Sequence, residues 1–176
     1  MATPPVVRNK VSIDLFTDAY RVTGTAVIGA GGIHSELGNP ASDFLELQDA
    51  YISRIQDPGD IVASYTQVAF RKENINFIVL QNRRDGIPTS TQHVRSVFLR
   101  GRPVPVFLTV PSFEIRGEIL YEGKPKPRDV IVQAIGRFLP IFVAKASASL
   151  YPDISYSGDL ILVHKDRIGI LCFADV

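Results

Sequence analysis

Apolar and polar residues alternate in two short stretches of the chain, Val11/Ile13/Leu15 and Val104/Val106/Leu108. A period of two predicts strands with one buried face. Residues 20–28 and 113–121 are rich in β-branched and aromatic side chains, and each holds one internal glycine, Gly24 and Gly117. A glycine inside a strand marks a bulge or sharp bend, which lets a sheet curl. The charged triplets Lys72-Glu73-Asn74 and Lys165-Asp166-Arg167 sit between apolar runs. They predict two hairpins, 68–71 with 75–80 and 161–164 with 168–173. One short helix is expected where Val130, Ile131, Ala134 and Ile135 share a face before Gly136. The first half has only Ile33 and Leu37 before Gly38-Asn39-Pro40, enough for two turns at most.

These elements recur. Sliding the chain along itself by 93 residues lays 11–24 over 104–117 without a gap, so that Ile13 meets Val106, Leu15 meets Leu108 and Gly24 meets Gly117. With one extra residue, 44–50 overlies 138–144; at offset 93 again, 68–77 overlies 161–170. The reading is one fold made twice, about 11–80 and 104–174. Five strands and a short helix in about 70 residues, strongly bent, close most economically as a small antiparallel barrel that hides its edges. The expected organisation is mainly β: a first five-stranded barrel in 1–82, an arginine-rich linker in 83–103 and a second barrel in 104–176.

Composition narrows the function. The 176 residues hold 19 Lys+Arg against 18 Asp+Glu, a balance unlike that of a dedicated nucleic-acid binder. A single cysteine excludes an internal disulfide and a cysteine-only zinc site. No apolar run reaches the roughly 18 residues of a membrane span, and Met-Ala-Thr-Pro-Pro has no signal-peptide pattern. A soluble cytoplasmic protein with no membrane partner is expected. Charge is uneven, however: Arg83, Arg84, Arg95, Arg100 and Arg102 in the linker face only Asp85, whereas residues 1–82 carry six basic and nine acidic groups.

Tyr20-Arg-Val-Thr-Gly24-Thr-Ala-Val, followed by Phe70-Arg71-Lys72-Glu73-Asn74-Ile75 and its repeat Val163-His164-Lys165-Asp166-Arg167-Ile168, resembles the two motifs of the Sm-like small barrel. Other SH3-type barrels, and bacterial proteins of uncharacterised function that carry such units, show a similar pattern. The resemblance implies strand-to-strand assembly of subunits around a ring, and RNA binding through two loops. The chain departs from it in both. The Asp-x-x-x-Asn loop is replaced by 29–43 and 122–137, and the turn glycine after the arginine is Lys72 or Lys165; Arg71 is matched by His164.

Candidate chemistry is sparse. Residues 26–37, with Gly29, Gly31 and Gly32, read like a dinucleotide-binding turn, with Asp49 following about 20 residues on. Against this, the third motif position is His34, the helix stops at Gly38-Asn39-Pro40, and the second copy has no glycine cradle. No cofactor is expected. His34, His93 and His164 lack a partner at ligand spacing, so no metal is expected either. His164 reads as an outward or pocket-facing strand residue, and Cys172 as a buried, inert thiol. Ser147 and Ser149 lie in no nucleophile elbow, and Asp57 and Asp60 read as turn formers. Tyr51, Tyr65, Tyr151 and Tyr156 are candidates for surface patches, or equally for core or interface filler. Nothing assembles an acid, base or nucleophile set, and no enzyme is expected.

Two functions follow. The first is a non-enzymatic module acting by protein contact or self-association. The alternative is an oligonucleotide-binding protein using Arg71, Lys72, Arg83, Arg84, Arg95, Arg100, Arg102, Lys165 and Arg167, whose phosphate contacts would weaken with salt.

Overall fold

The computed structural model describes residues 9–29, 31–87, 101–134 and 136–174. Its first half runs β1 (Asn9–Phe16), β2 (Tyr20–Ile28), α1 (Gly32–Gly38), β3 (Phe44–Arg54), β4 (Asp57–Arg71), a 3-10 turn (Lys72–Asn74), β5 (Phe77–Leu80) and α2 (Arg83–Gly86). The second half runs β6 (Arg102–Val110), β7 (Phe113–Tyr121), α3 (Pro127–Gln133), β8 (Phe138–Ala148), β9 (Ser155–His164), another 3-10 turn (Lys165–Arg167) and β10 (Ile170–Phe173). The protein is mainly β, as expected. Among the described residues, ten strands form one antiparallel sheet in the order β10-β6-β7-β8-β9-β5-β1-β2-β3-β4. Divided between β9 and β5, the order reads 5-1-2-3-4 in one half and 10-6-7-8-9 in the other, the same arrangement twice. The ladder is open, where sequence reasoning expected two closed barrels.

The two expected hairpins do not form. β4 pairs with β3 alone, and β5 pairs with β1 and β9; likewise β10 pairs with β6 and not with β9. The turn explains this. A tight hairpin needs left-handed backbone at its centre, but residues 72–75 have none, and Ile75 N–H donates to Lys72 C=O in a single 3-10 turn. That turn carries the chain onward across the sheet instead of doubling it back. The second turn is built alike, with Ile168 N–H donating to Lys165 C=O.

The predicted bends are present. The β2–β3 register shifts between Thr23 and Thr25, and the β7–β8 register between Arg116 and Glu118, on either side of Gly24 and Gly117. Across from them, Asp49 and Val143 take left-handed backbone, with φ of 50° and 46°. Each half also forms its expected short helix. α1 has seven residues; α3 also has seven and ends at Gln133, with Val130 buried and Gly136 following at φ 78°, while Ile135 lies outside the described residues. The expected linker is part structure: α2 opens it and β6 starts at Arg102.

Side chains pack into two cores. One gathers β1, β2 and β3 around Leu15, Val22, Ile33 and Leu47; the other gathers β6, β7 and β8 around Leu108, Phe113, Ile115 and Ile141. A Cβ at Gly117 would lie 2.6 Å from Ile141 Cγ2 and 2.8 Å from the Phe142 carbonyl oxygen, while one at Gly24 approaches nothing closer than 3.3 Å. Gly117→Ala is therefore expected to destabilise by about 1–3 kcal/mol, the range for overpacking a filled core, and Gly24→Ala by less. Chemical denaturation of both variants measures this, and equal losses would refute it.

Candidate interaction interface: the strand joint and the open edges

The halves meet where β5 lies against β9, pairing Phe77 with Val163, Ile78 with Leu162, Val79 with Ile161 and Leu80 with Leu160. All eight side chains are buried. Burying one such side chain is worth roughly 1.5–3 kcal/mol, so this short ladder is a major tie. Successive strand residues point to opposite faces, and both faces are covered here. Ile78, Leu80, Leu160 and Leu162 enter the first core, and Phe77, Val79, Ile161 and Val163 enter the second. Each strand therefore fills both its own core and the core of the other half. Phe16 of β1 also enters the second core, stacking on Phe77 at 4.5 Å and meeting Phe113 edge-on at 5.4 Å.

Polar latches bracket the ladder. At one end Arg83 donates from Nε and Nη2 to the Asp159 carboxylate at 3.1 and 3.0 Å, and Gln81 Nε2 donates to the Ser157 carbonyl at 3.0 Å. The Arg83 bonds hold the Asp159 carboxyl below its usual pKa range. At the other end Arg167 donates to Asn76 Oδ1 at 2.8 Å and to Asp18, while Asn76 Nδ2 donates to Asp18 at 3.0 Å. Partial burial pushes the Asp18 carboxyl up, but the bonds from Asn76 and Arg167 and the Arg167 charge outweigh it and leave it lowered. Backbone approach is closest at Gly158, where a Cβ would stand 2.5 Å from the Leu80 carbonyl oxygen and 2.8 Å from Val79 Cγ1.

The sheet ends on β10 and β4, the 93-residue counterparts of β5 and β9. Residues buried in the joint have exposed counterparts there. Ile170, in the place of Phe77, is 53% exposed, and Cys172, in the place of Val79, is exposed. The thiol expected to be buried is thus open, because it shares with Ile170 the face of β10 that no core covers, while Leu171 and Phe173 on the other face pack on the second core. Gln67 and Ala69 stand for Leu160 and Leu162 and are likewise exposed, while Val68 and Phe70 are half-buried against the first core. Tyr51, Tyr65 and Tyr151 are exposed; Tyr156 packs on Phe16 with Arg21 over its ring.

Among the described residues, most of those expected to grip phosphates are engaged within the chain. Lys72 is fully buried, and its ammonium donates to the carbonyls of Glu36 (2.7 Å), Asn39 (3.2 Å) and Ser42 (2.7 Å), fastening the α1–β3 connection. Lys165 does the same work in the second half with one bond, to the Ala134 carbonyl at 2.8 Å. Arg83 and Arg167 are committed to the latches above. Arg71 lies over the Phe44 ring and 3.5 Å from the Glu73 carboxylate. Arg84 and Arg102 are exposed on α2 and at the start of β6; Arg95 and Arg100, like His93, lie outside the described residues. Asp57 and Asp60 open β4, exposed, with Arg54 3.9 Å from Asp60. Among the described residues no cluster of three His, Cys, Asp or Glu is placed to hold a metal, and no helix is long and apolar enough to cross a membrane.

Sequence reasoning passed over Asp18, Asn76 and Asp159, whose bonds to Arg167 and Arg83 cross the joint. A signal for the joint itself was present: Phe77–Leu80 and the run 160–163 are unbroken apolar stretches, the mark of a strand covered on both faces. No family model, curated protein or solved structure matches this chain.

His164, expected to face outward or into a pocket, is buried edge-on against Phe138 at 4.9 Å, its Nδ1 accepting from Asp166 N–H at 3.2 Å. Burial lowers its pKa, and Arg137, Arg167 and Lys165 add to the effect against Asp166. His34 of α1 reaches the second half near Gly136, and burial and Lys165 lower its pKa too, against a hydrogen bond to the Phe138 backbone. An unfolded chain would bind protons near pH 6.5 that the folded chain refuses. Their contribution to stability is whole above that pH and is lost as pH falls below it. Thermal melting at pH 7.5 and 5.5 should show the loss, and His34→Asn with His164→Asn should shrink it. An undiminished loss in that double variant would refute the assignment.

Proposed function

We propose that this protein is a non-enzymatic scaffold module made of two copies of one five-stranded, barrel-like unit, and that chains associate head to tail, β10 of one against β4 of the next. One observation carries the reading: the residues that each joint strand sends into the other half's core, Phe77, Val79, Leu160 and Leu162, have exposed counterparts at the ends of the sheet. An open strand edge offers unpaired backbone N–H and C=O groups to any matching strand. Here the matching strand is specified by the protein's own joint. The resemblance to Sm-like barrels agrees with strand-to-strand assembly. Among the described residues, five of the seven basic side chains expected for an oligonucleotide are engaged within the chain, which favours self-association over nucleic acid.

The reading fixes a register. Transferring the β5–β9 pairs by 93 residues sets Ile170 opposite Phe70, Leu171 opposite Ala69, Cys172 opposite Val68 and Phe173 opposite Gln67. This joint is weaker than the internal one. Alanine and glutamine replace two leucines, and the counterparts of Asp18, Asn76 and Arg167, namely Pro111, Gly169 and Asn74, form no latch.

Because Cys172 is the only cysteine, Val68→Cys supplies one partner for it. Directly opposed residues sit about 4.5–5.5 Å apart at Cα, within the roughly 4.4–6.8 Å of a disulfide. Mild oxidation should link V68C chains into covalent multimers on non-reducing gels. Ala69→Cys, whose side chain points to the other face, should give few. Monomeric V68C, or equal linkage of both variants, would defeat the proposal.

A further inference from the structure

Tyr65 occupies the position on β4 that Gly158 occupies on β9. Two pairings establish the equivalence: Tyr65 lies opposite Ala50, Gly158 lies opposite Ala144, and the two alanines follow the left-handed residues Asp49 and Val143. At Gly158 the neighbouring strand comes so close that a Cβ would stand 2.5 Å from the Leu80 carbonyl oxygen. Real Cβ atoms do not approach a backbone oxygen so closely, and no rotamer relieves a clash at Cβ. Only glycine permits the full internal joint.

We infer that Tyr65 limits the chain-to-chain joint, holding the β4 edge to a short, reversible union with a second copy; the inference rests on the head-to-tail reading above. When β10 approaches β4 in the internal register, the Phe173 carbonyl takes the place of the Leu80 carbonyl and meets the Tyr65 Cβ. Three pairs, at residues 170–172, form freely, and the strand is pushed away at the fourth. Tyr65 is 63% exposed, so no packing in the single chain accounts for a large aromatic there. Exposed edges in natural sheets are commonly blunted against runaway pairing, and a side chain at the one position that demands glycine does so by steric exclusion. The internal joint, with Gly158, escapes the restriction.

The test compares Tyr65→Gly with Tyr65→Ala in the full chain. The alanine keeps the Cβ and so keeps the clash, while removing the ring. Sedimentation velocity across a concentration series reads association, and circular dichroism checks that each variant is folded. Y65G is expected to associate at least about tenfold more tightly than the parent, equivalent to about 1.4 kcal/mol, and Y65A no more tightly than the parent. Equal tightening in both variants would assign the effect to the ring and overturn the inference. Unchanged association in Y65G, with V68C still forming its disulfide, would overturn the inference and leave the head-to-tail reading standing. No association in Y65G together with no V68C disulfide would overturn both.

Discussion

The fold depends on a four-residue ladder between β5 and β9. It is short, but its side chains enter both hydrophobic cores, so neither core is complete without it. Backbone hydrogen bonds set the register, and alternation of side chains about that register sends Ile78 and Leu80 one way and Phe77 and Val79 the other. A slip by one residue would exchange the two sets. The polar groups at the rim, Arg83 with Asp159 and Arg167 with Asp18 and Asn76, are partly exposed ion pairs of the kind worth at most about 1 kcal/mol. Their role is better understood as alignment: they close the two ends of a seam whose strength is apolar.

Much of this was readable in the sequence where the cause is local. Period-two alternation located β1 and β6, and an internal glycine in each of the next strands located the bends at Gly24 and Gly117. Partner choice was not readable. The segment 68–80 looks like a hairpin because two apolar runs flank a charged triplet, yet the triplet folds as one 3-10 turn, and β5 finds β1 and β9. The same blindness misjudged Lys72. A lysine in a charged triplet looks solvent-facing, and only the fold brings three carbonyls of the α1–β3 connection around its ammonium. Cys172 shows the converse. Its apolar strand suggested burial, but only one face of that strand, carrying Leu171 and Phe173, lies on a core, and Cys172 is on the other.

The two halves repeat an arrangement without repeating its chemistry. The 3-10 turns coincide, as do the left-handed residues at Asp49 and Val143, and Lys72 N–H and Lys165 N–H donate to the equivalent carbonyls of Asp43 and Arg137 at 2.8 and 2.9 Å. One set of differences falls on the strands that face the joint or the edge. β9 offers Leu160 and Leu162 where β4 offers Gln67 and Ala69, and Gly158 where β4 has Tyr65. The same backbone is thus finished in two ways, one for permanent burial and one for contact with water.

Because Phe16, Phe77 and Val79 complete the second core while Phe138, Phe142, Leu160 and Leu162 complete the first, the halves are not beads on a string. A fragment cut between them would be left with an uncovered greasy seam and a core lacking several of its largest side chains. The smallest cooperative unit is therefore the two halves together, and they are expected to gain or lose their order in a single event.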